Sequence, residues 1–281
     1  MLCFLLLKFR QGRGKIHSIM YLQLTKTWLQ RHLSYRARVV IWAVTDIAHI
    51  IIFPFIWLSV YGQQQIIQGY SRADIVTYYI IIGFIGLTAT AHISNVIRLD
   101  IMEGALNGFL TKPLPYNIFR IFHELSYKII TAAIALVLFL IVRLSFPEYL
   151  IMPATLTTWL LFFLSLIGAF AISYTFELII GFGAFWFGET SALNQFINLL
   201  QMVFSGTIAP LIFFPSIIQQ VANLLPFKYL IYFPVEIYLN HLNAGEIIAG
   251  FTYQLIWMGA LALFVFALWR RGLKSYEGVG I

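Results

Sequence analysis

Apolar residues gather into six runs, roughly Val39–Tyr61, Ile75–Ile97, Ile129–Phe146, Leu156–Phe187, Leu193–Phe214 and Ala249–Trp269. Crossing about 30 Å of hydrocarbon takes about 20 mostly apolar residues in a helix, so each run predicts a transmembrane span. The fourth is long enough to tilt or to extend past the bilayer. Beyond the fifth run, Pro210, Pro215, Pro226 and Pro234 cut the chain into pieces too short to span. Broken backbone at membrane depth survives only when buried in protein or facing water. The expectation for about 208–240 is therefore a re-entrant outer region, with short helices near Ser216–Leu225 and Leu230–Asn240. An irregular loop lying on the membrane is the alternative.

Between spans two and three lies "RLDIMEGALNGFLTKPLPYN". At 3.6 residues per turn, Leu99, Met102, Leu106, Phe109 and Leu110 form one apolar stripe, with Asp100, Glu103, Asn107 and Lys112 largely off it. Asp100 and Glu103 suit the positive end of a helix dipole and Lys112 the negative end. Pro113 and Pro115 forbid continuation. The pattern predicts one short, terminated helix over about 99–113, with Gly104 and Gly108 leaving a strip that another surface can approach. Such a helix either docks on a soluble partner or lies on lipid headgroups. A second amphipathic segment, 20–38, sets Tyr21, Leu24, Trp28 and Leu29 on one face, away from Lys26, Gln30 and Arg31. It reads as an interfacial helix resting on membrane lipid, the alternative being a basic flank that is helical only by continuation from span one.

Composition fixes the solvent these helices meet. The chain is 60% hydrophobic and 10% charged, with a mean hydropathy of +0.85. Soluble domains average about 45–50% apolar and about 25% charged, so the chain reads as an all-α integral membrane protein with six transmembrane helices. A single cysteine, Cys3, excludes an internal disulfide framework and Cys-based zinc clusters. The net charge of +7 is topogenic in pattern and does not indicate nucleic acid. Of the 18 Lys and Arg residues, all but Arg72, Arg143 and Lys228 fall before span one, between spans two and three, or after span six. The positive-inside rule then puts both termini in the cytoplasm of a plasma-membrane protein. The segment 39–281 reads as one six-span domain, and 1–19 as an extension upstream of a natural start at Met20.

Ionisable residues inside spans are costly and face a partner or a cavity. Asp46 and His49 in span one and Glu177 in span four are the candidates, for a transport pathway or for structural hydrogen bonds. No spacing suggests a metal site or a catalytic triad. Gly83, Gly86, Gly181 and Gly183 read as sites of close helix packing.

Several segments carry a resemblance: "LSYRARVVIW", "GALNGFLTKPLPYNIFRIFHEL", "GAFWFGE", "FSGTIAPLIFFPSIIQQVANLLPFKYLIYFPVEIYLN" and "LWRRGLKSYEGVG". On these, over about nine-tenths of the chain, the sequence resembles the permease subunits of the ATP-binding-cassette type-2 export family, in its compact six-span subgroup. The resemblance implies that Asp100, Met102, Glu103, Leu106, Phe109, Leu110, Lys112 and Pro113 form a coupling helix seated on an ATPase. It further implies that Gly206, Pro210, Pro215, Pro226 and Phe227 belong to re-entrant outer helices closing the exit. The expected partners are two cytoplasmic ABC ATPase subunits and a second six-span permease, identical or related. No Gly-x-x-x-x-Gly-Lys-Ser/Thr loop occurs in the chain, so ATP and Mg are expected on the partners. An aromatic content of 17% points to an amphiphilic or lipid-like cargo. An ion-coupled transporter, a membrane-embedded enzyme and a structural scaffold stay open on the residues alone.

Overall fold

The computed structural model describes residues 23–31, 52–112 and 115–276. Predictions for Tyr21, Asp46, His49, Pro113 and most of span one fall outside them. Helix α1 covers residues 23–31, and α2, Ile52–Tyr61, is the described part of span one. A hairpin of two-residue strands follows, β1 (Ile66–Ile67) antiparallel to β2 (Tyr70–Ser71). Its turn residues Gln68 and Gly69 both have positive φ, 51° and 88°, the combination a tight two-residue hairpin needs. Apart from this hairpin, every regular element among the described residues is helical.

Among the described residues, four helical stretches are long and apolar enough to cross a membrane: Arg72–Met102, Tyr116–Ser145, Leu156–Phe187 and Ala244–Ser275. At 30–32 residues they reach about 45–48 Å, so their ends project well beyond a 30 Å core. The first is split into α3 (Arg72–Ala89) and α4 (Ser94–Met102). The second is α6 (Tyr116–Ser145), reached through α5 (Leu106–Leu110). The third is α7 (Leu156–Phe182) with α8 (Ala184–Phe187), and the last is α12 (Ala244–Ser275). Local sequence sets the starts. Ser71 with Asp74, and Asn243 with Glu246, form reciprocal capping boxes on α3 and α12. Pro115 precedes the first residue of α6, and the Thr155 hydroxyl caps α7.

Two predictions of extent are corrected. The fifth span, expected over Leu193–Phe214, is a helix only over α9 (Ser191–Phe204), 14 residues or about 21 Å. It stops because Gly206 takes φ +86° and the freed carbonyls find side chains instead. Tyr78 donates to the Gly206 carbonyl at 2.7 Å, and both Tyr79 and Trp57 donate to that of Ile208, at 2.5 and 3.3 Å. The third span starts at Tyr116, not Ile129, so Arg120 and Lys128 belong to a helix and not to a loop, and both are buried.

Beyond α9, two short helices stand close to where they were expected. After a 3₁₀ turn at Leu211–Phe213 come α10 (Ser216–Leu224), a second 3₁₀ turn at Pro226–Tyr229, and α11 (Tyr232–Tyr238). The expected second helix was Leu230–Asn240. Phe233 through Tyr238 are buried without a gap, which removes the surface-loop alternative for that segment.

Helix α7 is the axis of the fold, packing on α3, α4, α11 and α12. Missing side chains permit this. The Gln254 carboxamide lies on Gly168, the Phe233 ring on Gly250 and the Phe185 ring on Gly272, while a Cβ on Gly181 would come within 2.7 Å of Ile97. Gly86, expected to pack closely, faces open space. Two large apolar clusters result among the described residues, beside a small one at Leu87 and Ala135. One holds α3, α11 and most of α7; the other holds α4, α5, the start of α6, the end of α7 and the end of α12. We call the end built on the second cluster the basic end, since Arg98, Lys112, Arg120, Arg270, Arg271 and Lys274 gather there.

Candidate functional site

The stretch expected to be one coupling helix is two. Helix α4 runs out at Met102, Gly104 turns the chain with φ +73°, and α5 begins at Leu106. The predicted apolar stripe is therefore divided. Leu106 is buried in the basic-end cluster, whereas Met102 and Leu110 are each 45% exposed. Glu103 and Lys112 are exposed as well, and Phe109 is half-buried. Nearby on α8, Trp186 and Phe187 also face outward. Gly188, next to them, lies against the tip of Met102.

Asp100 points the other way. Expected off the apolar stripe and at an ATPase contact, it is buried and paired with Arg120, and Tyr116 donates its hydroxyl to the same carboxylate. Arg120 lies among aromatic rings, its guanidinium carbon 4.9 Å from Phe109, 5.3 Å from Tyr116 and 5.5 Å from Phe119. Tyr116 in turn stacks on Trp269 of α12 at 5.4 Å. The α4–α5 turn is thus held from inside by a desolvated ion pair, with Lys112 placed 4.5 Å from Phe109 at its rim. Arg98 at 3.2 Å from Glu189 ties α4 to the chain after α8.

Helix α1 packs on α6. Trp28 meets Phe119 and His123 of α6 edge-on, at 5.6 and 4.3 Å, and the Ser126 hydroxyl donates to the Thr25 carbonyl at 3.3 Å. Leu24 is half-buried. Arg31, expected on the opposed face, stands 5.2 Å over the Trp28 ring, as an i, i+3 cation–π pair can.

Glu177 has a structural partner, accepting from the Ser94 amide at 2.7 Å. Around it lie groups that sequence reading missed. Glu124 accepts from the His92 amide at 3.1 Å and sits 3.9 Å from Lys128, both on α6. Once α6 is known to begin at Tyr116, the i, i+4 spacing of Glu124 and Lys128 is the signal that marks them as a pair on one face.

At the opposite end, among the residues expected to form an outer gate, the turn after Pro210 lies beside a second polar group, with the Phe213 ring 5.4 Å from that of Tyr70. Phe227 and Pro226 are buried, Pro210 starts a 3₁₀ turn and Pro215 starts α10. Tyr70 donates to Glu236 of α11, and burial pushes its phenol pKa well up, so it stays a donor. His241 lies 3.7 Å from Asp74 and 3.3 Å from Glu236, its ring 4.8 Å from that of Tyr70. Hydrogen bonds to Asp74 and then Glu236 raise its pKa from 6.5 to about 9. A raised histidine stabilises the folded protein fully below its ordinary value, and that contribution is lost as pH rises through about 9. The detergent-purified protein should therefore lose melting temperature between pH 7 and 10, with a flatter profile in His241→Gln. Equal slopes in the two proteins would remove this assignment.

With this geometry in place, the chain was compared with known proteins. The sequence model of a family described as ABC-2 family transporter protein matches residues 47–280. A comparison with curated proteins finds no match.

Proposed function

The chain belongs to the ABC-2 transporter family, and from that premise we propose that it is the permease subunit of an exporter driven by ATP hydrolysis on separate cytoplasmic subunits. Membership makes it a multi-pass membrane transport subunit of a kind that associates with ABC ATPases. The finer assignment is ours. Two ATPase subunits, carrying ATP and Mg, engage the basic end of this chain and of a second permease, identical or related. Their closure moves the α4–α5 turn, and the pathway between the permeases opens outward across the plasma membrane. Both termini lie on the cytoplasmic side, and the cargo is amphiphilic or lipid-like, in keeping with an aromatic content of 17%.

One observation carries this reading. The α4–α5 turn presents Met102, Glu103, Leu110 and Lys112 outward while Leu106 and Asp100 anchor it from within. A surface that must transmit force needs both an apolar contact with charged edges and a rigid inner attachment.

The test is Glu103→Arg combined with Leu110→Asp. Both side chains are exposed, so insertion and melting temperature should be unchanged, while recovery of ATPase subunits on the purified permease is lost. Leu106 is unsuitable as a probe, because it is fully buried. Normal ATPase recovery with the double variant would take the coupling role away from this turn. Cargo movement without any nucleotide hydrolase would favour an ion-coupled transporter instead.

A further inference from the structure

The span Arg72–Met102 is not a continuous helix. Regular bonding stops at Ala89 and resumes at Ser94, with no proline between. Across the gap, the Thr90 amide reaches back to the Ile85 carbonyl at 3.3 Å, and the Ile97 amide bonds that of Ile93 at 3.1 Å. Four more of the freed groups are held by side chains from two different helices. Ala91 N–H donates to the Ser173 hydroxyl at 2.8 Å and Ser94 N–H to Glu177 at 2.7 Å, both on α7. His92 N–H donates to Glu124 at 3.1 Å, and the Thr131 hydroxyl donates to the Leu87 carbonyl at 2.6 Å, both on α6. Side chains inserted into the backbone ladder are a recognised cause of a sharp helix break.

The position of the break is informative. Helix α3 has 18 residues, so the break lies about 27 Å from its Arg72 end, close to the far boundary of a 30 Å hydrocarbon core. It also lies at the seam between the two apolar clusters: Ile85 and Ala89 belong to one, Ala91, Ile93 and Ile97 to the other. Ser173, Glu177, Glu124, Lys128 and Thr131 thus form a polar layer between the membrane core and the basic end.

We propose that this break is a hinge, and that Glu177 and Glu124 are positioning residues that hold its backbone amides, so that α4, α5 and the start of α6, to which Asp100 and Arg120 tie them, move as one arm against a fixed α3. The proposal rests on the docking reading above. Continuous helix could not bend there without losing internal hydrogen bonds, whereas here those bonds are already replaced by side-chain acceptors that can follow a moving amide. Beyond the break, α4 packs closely on α7 at Gly181, where an added Cβ would come within 2.7 Å of Ile97.

The experiment uses the full chain with Cys3→Ser, reconstituted with its ATPase subunits and spin-labelled in pairs. Ala105→Cys with Leu156→Cys reports the arm, and Ile66→Cys with Leu156→Cys reports the opposite end; all three positions are exposed. Trapping with ADP and vanadate should displace the distance peak of the first pair and leave the second unchanged. Without nucleotide, Glu177→Ala should broaden the first distribution, and Glu177→Gln, which keeps an acceptor oxygen, should restore the narrow one. Ser173→Ala, removing one amide partner only, should broaden it less. Peaks that stay fixed on trapping, or that shift together, overturn the hinge, and so does Glu177→Gln matching Glu177→Ala. If the ATPase subunits fail to bind the unmodified permease, the docking reading falls. The hinge is then judged on the permease alone, where equal widths for all variants would overturn it.

Discussion

Arg120→Ala is expected to cost about 3–5 kcal/mol, the range for removing one partner of a buried ion pair. Arg120 and its partner Asp100 are both buried, and the Tyr116 hydroxyl shares the same carboxylate. Truncation leaves Asp100 charged in a nearly dry site and removes the plane that Phe109, Tyr116 and Phe119 pack around. Thermal melting of the purified protein checks the loss. The double variant Asp100→Ala with Arg120→Ala should recover part of it, because no unpaired charge remains, and with the single Asp100→Ala variant and the unmodified protein the four form a mutant cycle. A single variant that melts with the unmodified protein would mean that water reaches Asp100 and that the turn lacks an inner anchor.

Gly206→Ala is expected to cost about 2–4 kcal/mol, combining about 1 kcal/mol for an L residue at positive φ with about 1–3 kcal/mol for overpacking. Gly206 sits at φ +86°, and an added Cβ would meet the Tyr78 hydroxyl at 2.5 Å and the Tyr232 Cβ at 3.2 Å. Tyr78 cannot withdraw freely, since it donates to the Gly206 carbonyl and is fully buried. The substitution therefore pushes on the link between α9 and α11, the segment read as the outer closure. Its effect is measured as a fall in melting temperature with ATPase recovery unchanged, since the basic end is untouched. Tolerance of Gly206→Ala would show that α9 can continue as helix past Ser205.

These two sites also show where reading the chain residue by residue fails. Asp100 is expected among the polar residues because a helical wheel starting at Leu99 puts it off the apolar stripe. The wheel assumes one helix and one core direction, and both assumptions break at Gly104. The partner that draws Asp100 inward, Arg120, is 20 residues away on α6. That residue was counted as loop charge because the apolar run of span three seems to begin only at Ile129. Pro115 was the available signal. A proline just ahead of a helix is a common start, and extending α6 back to it places Arg120, Glu124 and Lys128 one turn apart. The outer region was legible for the opposite reason, since Pro215 and Pro226 constrain the backbone wherever the chain packs.

Solvent preference and backbone stereochemistry are local properties, and they could be read directly. They gave a helical membrane protein, the approximate positions of four long apolar helices, the proline-cut outer segment and the gathering of basic residues at one end. Orientation of side chains is a different matter, because it depends on which surface the fold supplies. The burial of Asp100, Arg120, Glu124 and Lys128, the stop in α9 at Phe204 and the gap in the first long span all depend on groups distant in sequence. A buried charge or a freed amide is tolerable only beside its partner, and no linear pattern of apolar and polar residues records who that partner is.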